Sequence, residues 1–180
     1  MRATIMLLAG AMWIQTSVSF AQLPGQDKPQ ATTTKRYFTR NMGGPRLGVT
    51  IIPGDGELAQ KLAEHNVGKV ISQFGWHFEK AVAYKEDGPS FIIEFVPLFG
   101  GVEFGKFILG ITLGLGIRLP NGFEIGAGPN ILFGENVSSA LMIAVGKSFD
   151  YGGVAIPLNL AVVTSPIGTR FAIMTGYAID

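Results

Sequence analysis

Three side chains in the run ISQFGWHFE (71–79) are of the types that form a hydrolytic site: Ser72, His77 and Glu79. A serine nucleophile needs a histidine base beside it and a third group that orients the base. His77 and Glu79 are two residues apart and share one face of an extended strand, whereas Ser72 falls on the opposite face. No catalytic motif surrounds them. No catalytic residue is therefore predicted from this run.

Cofactor sites have little support in the sequence. The chain has no cysteine, which excludes disulfides, thiol catalysis and cysteine metal sites. Its two histidines, His65 and His77, and its dispersed acidic residues predict no metal centre. The glycine pairs GLG (114–116) and GAG (126–128) do not continue to the lysine and threonine of a phosphate-binding loop. No cofactor is predicted.

The residues that must position any site fall into alternating apolar runs separated by turn residues. These runs predict eight strands, near residues 45–52, 70–82, 90–98, 105–119, 122–132, 138–149, 152–163 and 168–178. The segment GELAQKLAEHN (56–66) places Leu58, Ala59 and Leu62 on one face and predicts a short helix in the first connection.

The two faces of each predicted strand differ sharply, because successive side chains point to opposite sides. In LGITLGLGIRL (109–119), leucine and isoleucine fill one face, whereas glycine, threonine and Arg118 fill the other. Soluble exteriors are rich in lysine, glutamate and threonine rather than in glycine and alanine. The pattern therefore favours a closed barrel whose bulky face meets lipid and whose small residues line a narrow interior.

Polar residues on the small-residue face are the candidate functional residues. Both signs of charge occur there, and an unpaired ion in such an interior costs on the order of several kcal/mol, so we expect ion pairs across it. The predicted interior network comprises Arg46, Gln73, His77, Glu79, Glu94, Lys106, Arg118, Glu124, Asn130, Asn159 and Arg170. Within it, Glu124 is expected to pair with Arg118 or Arg170. We interpret this network as structural, and a functional polar pocket or pore is the alternative.

The first 21 residues are typical of a secretory signal peptide. Arg2 precedes the apolar run IMLLAGAMWI (5–14), which is shorter than the ~20 residues of a spanning helix, and Ser19-Phe20-Ala21 forms a cleavage site. Cleavage removes one of 14 basic residues and none of 13 acidic residues. The remaining net charge is close to zero, which argues against a nucleic-acid partner. Residues 22–44 are polar and without period, and predict a flexible segment before a barrel domain at 45–180.

With this strand count, alternation and signal sequence, residues 45–180 resemble the small eight-stranded bacterial outer-membrane β-barrel proteins. The runs ISQFGWHFE (71–79) and NGFEIGAGPN (121–130) are also similar to segments of a bacterial exported family, a likeness that implies no activity. The resemblance implies an all-β fold, a closed antiparallel up-and-down barrel of about eight strands. It also implies export to the outer membrane and contact with membrane lipid.

A structural or interaction role fits these features best. Eight strands are too few for a wide aqueous channel, so the loops or the lumen would meet a protein partner or a small apolar ligand. The main alternative is a soluble periplasmic barrel that binds a small apolar ligand. A lipid-modifying outer-membrane enzyme is a third interpretation.

Overall fold

The computed structural model describes residues 41–83, 88–134, 137–151 and 154–179. The predicted signal peptide (1–21) and all but the last four residues of the predicted flexible segment (22–44) lie outside these residues. The described chain forms eight long strands: β1 (Gly44–Ile51), β2 (Val70–Ala83), β3 (Ser90–Gly100), β4 (Ile108–Arg118), β5 (Phe123–Phe133), β6 (Ser138–Tyr151), β7 (Val154–Ser165) and β8 (Gly168–Gly176).

Each strand pairs antiparallel with the next, and β1 also pairs with β8, so the sheet closes on itself. At the closure Val49 lies opposite Ile173 of β8 and opposite Ser72 of β2. A two-residue strand, β9 (Ala178–Ile179), follows β8 and pairs with the start of β7. The predicted all-β closed antiparallel up-and-down barrel of eight strands is confirmed.

The helix α1 (Glu57–Glu64) lies between β1 and β2, as predicted, and ends before Asn66, which has a φ of 58°. Ala59 packs with Ile52 and Val67 in a small apolar cluster. The Leu58 amide donates a hydrogen bond of 3.0 Å to the Ile167 carbonyl in the β7–β8 turn. In the described part of the chain, no helix is long and apolar enough to cross a membrane.

Strand β4 begins at Ile108, three residues later than predicted. A 3-10 turn occupies Val102–Phe104, flanked by Gly101 and Gly105 with φ values of 82° and 64°. These left-handed positions favour glycine and turn the chain before the strand can start. Lys106 therefore lies in the β3–β4 connection, and its side chain is exposed.

The two ends of the barrel carry different connections. The helix end has the connections 52–69, with α1, together with 101–107 and 166–167. The opposite end, here called the short-turn end, has the turn 119–122 among the described residues. Near the helix end, Lys69 donates a hydrogen bond to Asp55, and this bond lowers the pKa of Asp55 below its ordinary value.

The faces of the strands are oriented as the alternation predicts. On β4, Leu113 and Leu115 are half exposed on the outside, whereas Gly114 and Thr112 are buried inside. Close packing of the strands leaves no room for larger residues at several glycines. A Cβ at Gly128, for example, would overlap the carbonyl oxygen of Leu113 on the neighbouring strand. Most of the bulky apolar residues of the described strands thus lie on the exterior of the barrel, although a few, such as Ile92 and Leu98 of β3, are buried inside.

Candidate functional site

The candidate site is the polar interior of the barrel. All the residues predicted for the interior network lie on inward-facing positions of the strands except Lys106, which is excluded by the late start of β4. The inward-facing members form two groups. One group lies toward the short-turn end around Arg118, and the other lies toward the helix end around Arg170.

Arg118 binds two carboxylates at once. Its Nη1 and Nη2 donate to the two oxygens of Glu79 at 2.6 and 2.5 Å, a bidentate arrangement. Its Nε and Nη2 donate to Oε2 of Glu124 at 2.9 and 2.8 Å. The Glu79 side chain is fully buried and that of Glu124 is 7% exposed. Charge-assisted, bidentate bonds of this kind are the strong class of protein hydrogen bond.

The second oxygen of Glu124 is also bound. Asn159 Nδ2 donates to Oε1 of Glu124 at 2.6 Å, which connects β7 to β5 across the interior. Oδ1 of Asn159 is buried and has no hydrogen-bond partner among the described residues. Glu124 therefore lies between a cation and an amide donor, next to Arg118 rather than Arg170.

His77 lies between Arg46 and the carboxylate of Glu94. Its Nδ1 is 2.7 Å from Nη2 of Arg46 and 3.1 Å from the Met42 carbonyl oxygen, and its Nε2 is 3.4 Å from Oε1 of Glu94. Because a guanidinium only donates, Nδ1 accepts from Arg46, and we assign the ring proton to Nε2, facing Glu94. Arg46 also donates to the carbonyl of Tyr177 at 3.2 Å and so links β1 to the residue after β8.

One cluster in this group has the composition of a metal site. Ligand atoms of His77, Glu79 and Glu94 all lie within 4.8 Å of one another. No metal centre is predicted from the sequence, because the pairing that sets Glu79 directly opposite Glu94 in the β2–β3 register is not encoded in a local pattern. Arg118, however, binds both oxygens of Glu79. A metal ion at this cluster would therefore compete with the Arg118 guanidinium for that carboxylate. The arrangement as it stands is an ion-pair network.

The second polar group is smaller. Arg170 Nη2 donates to Oδ1 of Asn130 at 2.5 Å, and Asn130 Nδ2 donates to the hydroxyl of Thr112 at 2.8 Å. Nearby in the interior, the Thr50 hydroxyl donates to Oε1 of Gln73 at 2.8 Å. The two threonines were absent from the predicted network, although their positions on the small-residue face were a signal for them.

A cavity of about 90 Å³ lies between the two polar groups. Arg46, His77 and Glu94 contribute to its wall from one group, and Asn130 and Arg170 from the other. Apolar side chains complete the wall, among them Leu98, Leu132, Met142, Val163 and Met174. The described interior side chains therefore surround a chamber whose wall is partly polar and partly apolar.

Ser72 is not part of the interior. Its hydroxyl and its amide donate to Glu103 at 2.7 and 2.6 Å on the outside of the barrel. Burial raises the pKa of Glu103, but the hydrogen bonds from Ser72 outweigh it and leave that pKa below its ordinary value. Ser72 and His77 thus lie on opposite faces of β2, and the two do not form a nucleophile–base pair.

No family model matches this sequence, and no curated protein matches it. Among solved structures, the chain is similar to Ail, the attachment invasion locus protein of Yersinia pestis, with 11% identity and a TM-score of 0.43. That alignment covers 78% of this chain and 95% of Ail. The structure of Ail in complex with the heparin analogue sucrose octasulfate is similar at 13% identity, over 78% of this chain and 96% of that one, with the same TM-score of 0.43.

Proposed function

We propose that this chain is an integral outer-membrane β-barrel with a structural or interaction role, exported by the predicted signal peptide (1–21). The observation that carries the proposal is the chemistry of the barrel's exterior. Lys80 and Lys147 are the only charged residues at outward positions of the described strands. The large apolar side chains on the rest of this surface are exposed, with Leu113 at 51% and Ile143 at 50%. In water such a surface would be a strong aggregation liability, whereas in lipid it is stable.

The height of the apolar surface matches a bilayer. Strand β4 with its flanking residues Phe107 and Leu119 spans about 40 Å at ~3.3 Å per residue, which a tilt of ~45° projects to about 28 Å. The apolar band of a transmembrane barrel is about 25 Å tall. Polar outward residues lie at its edges, such as Ser139 near the helix end and Lys147 near the short-turn end. Lys147 stands 5.9 Å from the ring centre of Phe149, as an interfacial lysine would.

Aromatic side chains mark both edges of this band. Near the helix end, the Phe99 ring is 5.8 Å from that of Phe74 and 5.0 Å from that of Phe107. Near the short-turn end, Phe149 and Tyr177 are half exposed on the outside. Aromatic residues concentrate at the two membrane–water interfaces of outer-membrane barrels.

Closure of the sheet supplies the other requirement. A spanning sheet must leave no unpaired edge in the hydrocarbon, and the β1–β8 pairing removes both edges. The interior of an eight-stranded barrel is just wide enough for side chains, and here the network around Arg118 occupies it. This filling supports a structural role for the network and argues against a wide channel.

The interaction role is proposed for the helix end. Outer-membrane barrels have short periplasmic turns and longer extracellular loops, so the connection 52–69 with α1 would lie on the outside of the cell. A soluble periplasmic barrel, the main alternative, would need the bulky apolar face inside as its core. In the structure those side chains point outward.

Fractionation of a Gram-negative host that expresses the full chain tests the proposal. We expect recovery with the outer membrane, and a faster-migrating band on a denaturing gel when the sample is not boiled, because the closed barrel resists detergent at room temperature. Protein in the soluble periplasmic fraction, with one mobility before and after boiling, would refute membrane insertion.

A further inference from the structure

Arg170 is a buried cation without a carboxylate partner. Its side chain lies inside the barrel at 8% exposure. Among the described residues, no carboxylate oxygen lies within 4.0 Å of its guanidinium, and its hydrogen bond to Asn130 uses one of five donors. A buried ion without a counterion is strongly destabilising, so its presence calls for one.

The carboxylates of the interior contact residues other than Arg170. Glu79 and Glu124 bind Arg118, and Glu94 lies beside His77. None of them reaches Arg170, which stands at the other side of the cavity. Arg46 likewise has no carboxylate oxygen within 4.0 Å among the described residues, but it donates to His77, which lies beside Glu94. Arg170 instead lies apart from the ion-pair network, on the wall of the cavity.

The cavity has the size of a small organic ion. A volume of about 90 Å³ is several times the ~10–15 Å³ that a cavity needs to hold one water, so it accommodates several waters. A four-carbon carboxylate has six non-hydrogen atoms, which is the same scale. Leu98, Leu132, Met142 and Val163 also line the cavity and offer an apolar surface to a short alkyl chain.

We propose that Arg170 binds the carboxylate of a small aliphatic monocarboxylate inside the barrel, with the alkyl chain against the apolar wall. The planar guanidinium fork matches a carboxylate in geometry. A single guanidinium suits a monoanion, because a dianion would bring more negative charge to face Glu94 across the same cavity. This ligand site goes beyond the structural or interaction role and concerns the interior alone.

Methyl NMR of the barrel in detergent micelles, with ¹³C-methyl methionine, tests the site with butyrate as the probe. Met142 and Met174 line the cavity, whereas Met42 packs outside it with Ala155 and Ala178. At constant ionic strength, the Met142 and Met174 signals are expected to shift saturably with butyrate while the Met42 signal stays in place. Arg170→Gln should weaken the apparent affinity at least tenfold.

Two further variants make the test decisive. Lys106→Gln removes an exposed positive charge outside the interior and should leave butyrate binding unchanged. Asn130→Asp supplies an internal carboxylate to Arg170 and should abolish binding while the barrel keeps its heat-dependent mobility. This second route does not depend on the folding of Arg170→Gln.

Uncharged butyramide and inorganic phosphate separate the alternatives. Equal shifts with butyramide and butyrate would mean that the cavity recognises only the apolar chain. Tighter binding of phosphate would mean that it selects an oxyanion and not a carboxylate. Either result, or unchanged butyrate binding in both Arg170→Gln and Asn130→Asp, would overturn the proposal.

Discussion

Replacement of Arg118 by glutamine is expected to be the most destabilising single change in the interior network. It removes four hydrogen bonds of 2.5–2.9 Å and leaves two carboxylates, Glu79 and Glu124, without a cation. Removal of one partner from a buried ion pair typically costs about 3–5 kcal/mol. Since whole domains are stable by only about 5–15 kcal/mol, Arg118→Gln should bring the barrel close to unfolding.

Glu124→Gln gives the matched comparison. It leaves Arg118 paired with Glu79 through both of its Nη atoms, and the new amide still accepts a hydrogen bond. We expect a loss of about 1–3 kcal/mol, the usual range for one unsatisfied buried group. The free energy of unfolding should therefore fall in a fixed order, with Arg118→Gln less stable than Glu124→Gln.

Urea titration of the refolded barrel in lipid vesicles measures this order. Trp76 is half exposed on the outside of β2 and is the only tryptophan after residue 21, so its fluorescence reports the loss of the barrel from lipid. Lys147→Gln removes an outward charge and should change stability by less than about 0.5 kcal/mol. If the Arg118→Gln barrel were as stable as the Glu124→Gln barrel, or more stable, the network would not hold the interior together as described.

Three further predictions concern the exterior, the strand packing and the helix end. Ile143→Arg places a charge in the middle of the apolar band and should destabilise the barrel in vesicles by about 2–4 kcal/mol, measured by the same titration. Gly128→Ala forces a methyl group against a neighbouring carbonyl and should cost about 1–3 kcal/mol, seen as a smaller folded band on unboiled gels. A lowered carboxyl pKa contributes stability that is present above the ordinary pKa and is lost as the pH falls through the lowered one, so Lys69→Gln should raise the pKa of Asp55 towards its ordinary value in an NMR titration and remove most of this small pH-dependent stabilisation.

Each of the first two has a control that introduces the same residue at another position. Ser139→Arg lies on the same strand as Ile143 but at the edge of the band, and should cost less than about 1 kcal/mol. Gly134→Ala adds a methyl group where no atom lies within 4 Å and should leave the folded band unchanged. Equal losses for Ile143→Arg and Ser139→Arg would argue against a bilayer around the barrel. An unshifted Asp55 titration in Lys69→Gln would mean that the hydrogen bond is absent in solution.

Strand alternation predicted most of the fold, because the period of two places bulky and small residues on opposite faces regardless of detail. The alternation did not predict where β4 begins, because Lys106 continues the alternating pattern whereas Gly101 and Gly105 bend the chain through left-handed conformations. The alternation also predicted that the side chains of Arg118 and Glu124 point into the barrel. Which acid binds which cation depends on register and on side-chain reach across the barrel, and neither is encoded in a local pattern.

Glycines on the inner face of the barrel make room for the charged side chains of the interior. A Cβ at Gly114 would lie 2.8 Å from the carboxylate of Glu94, and one at Gly146 would lie 2.9 Å from that of Glu124. In a lumen just wide enough for side chains, these two carboxylates therefore need a neighbouring strand position without a side chain. Glycine on the inner face gives that space, and on the outer face lipid tolerates the bulky residues that alternate with it. The stretch LGITLGLGIRL (109–119) is apolar and glycine-rich because one strand must meet both demands.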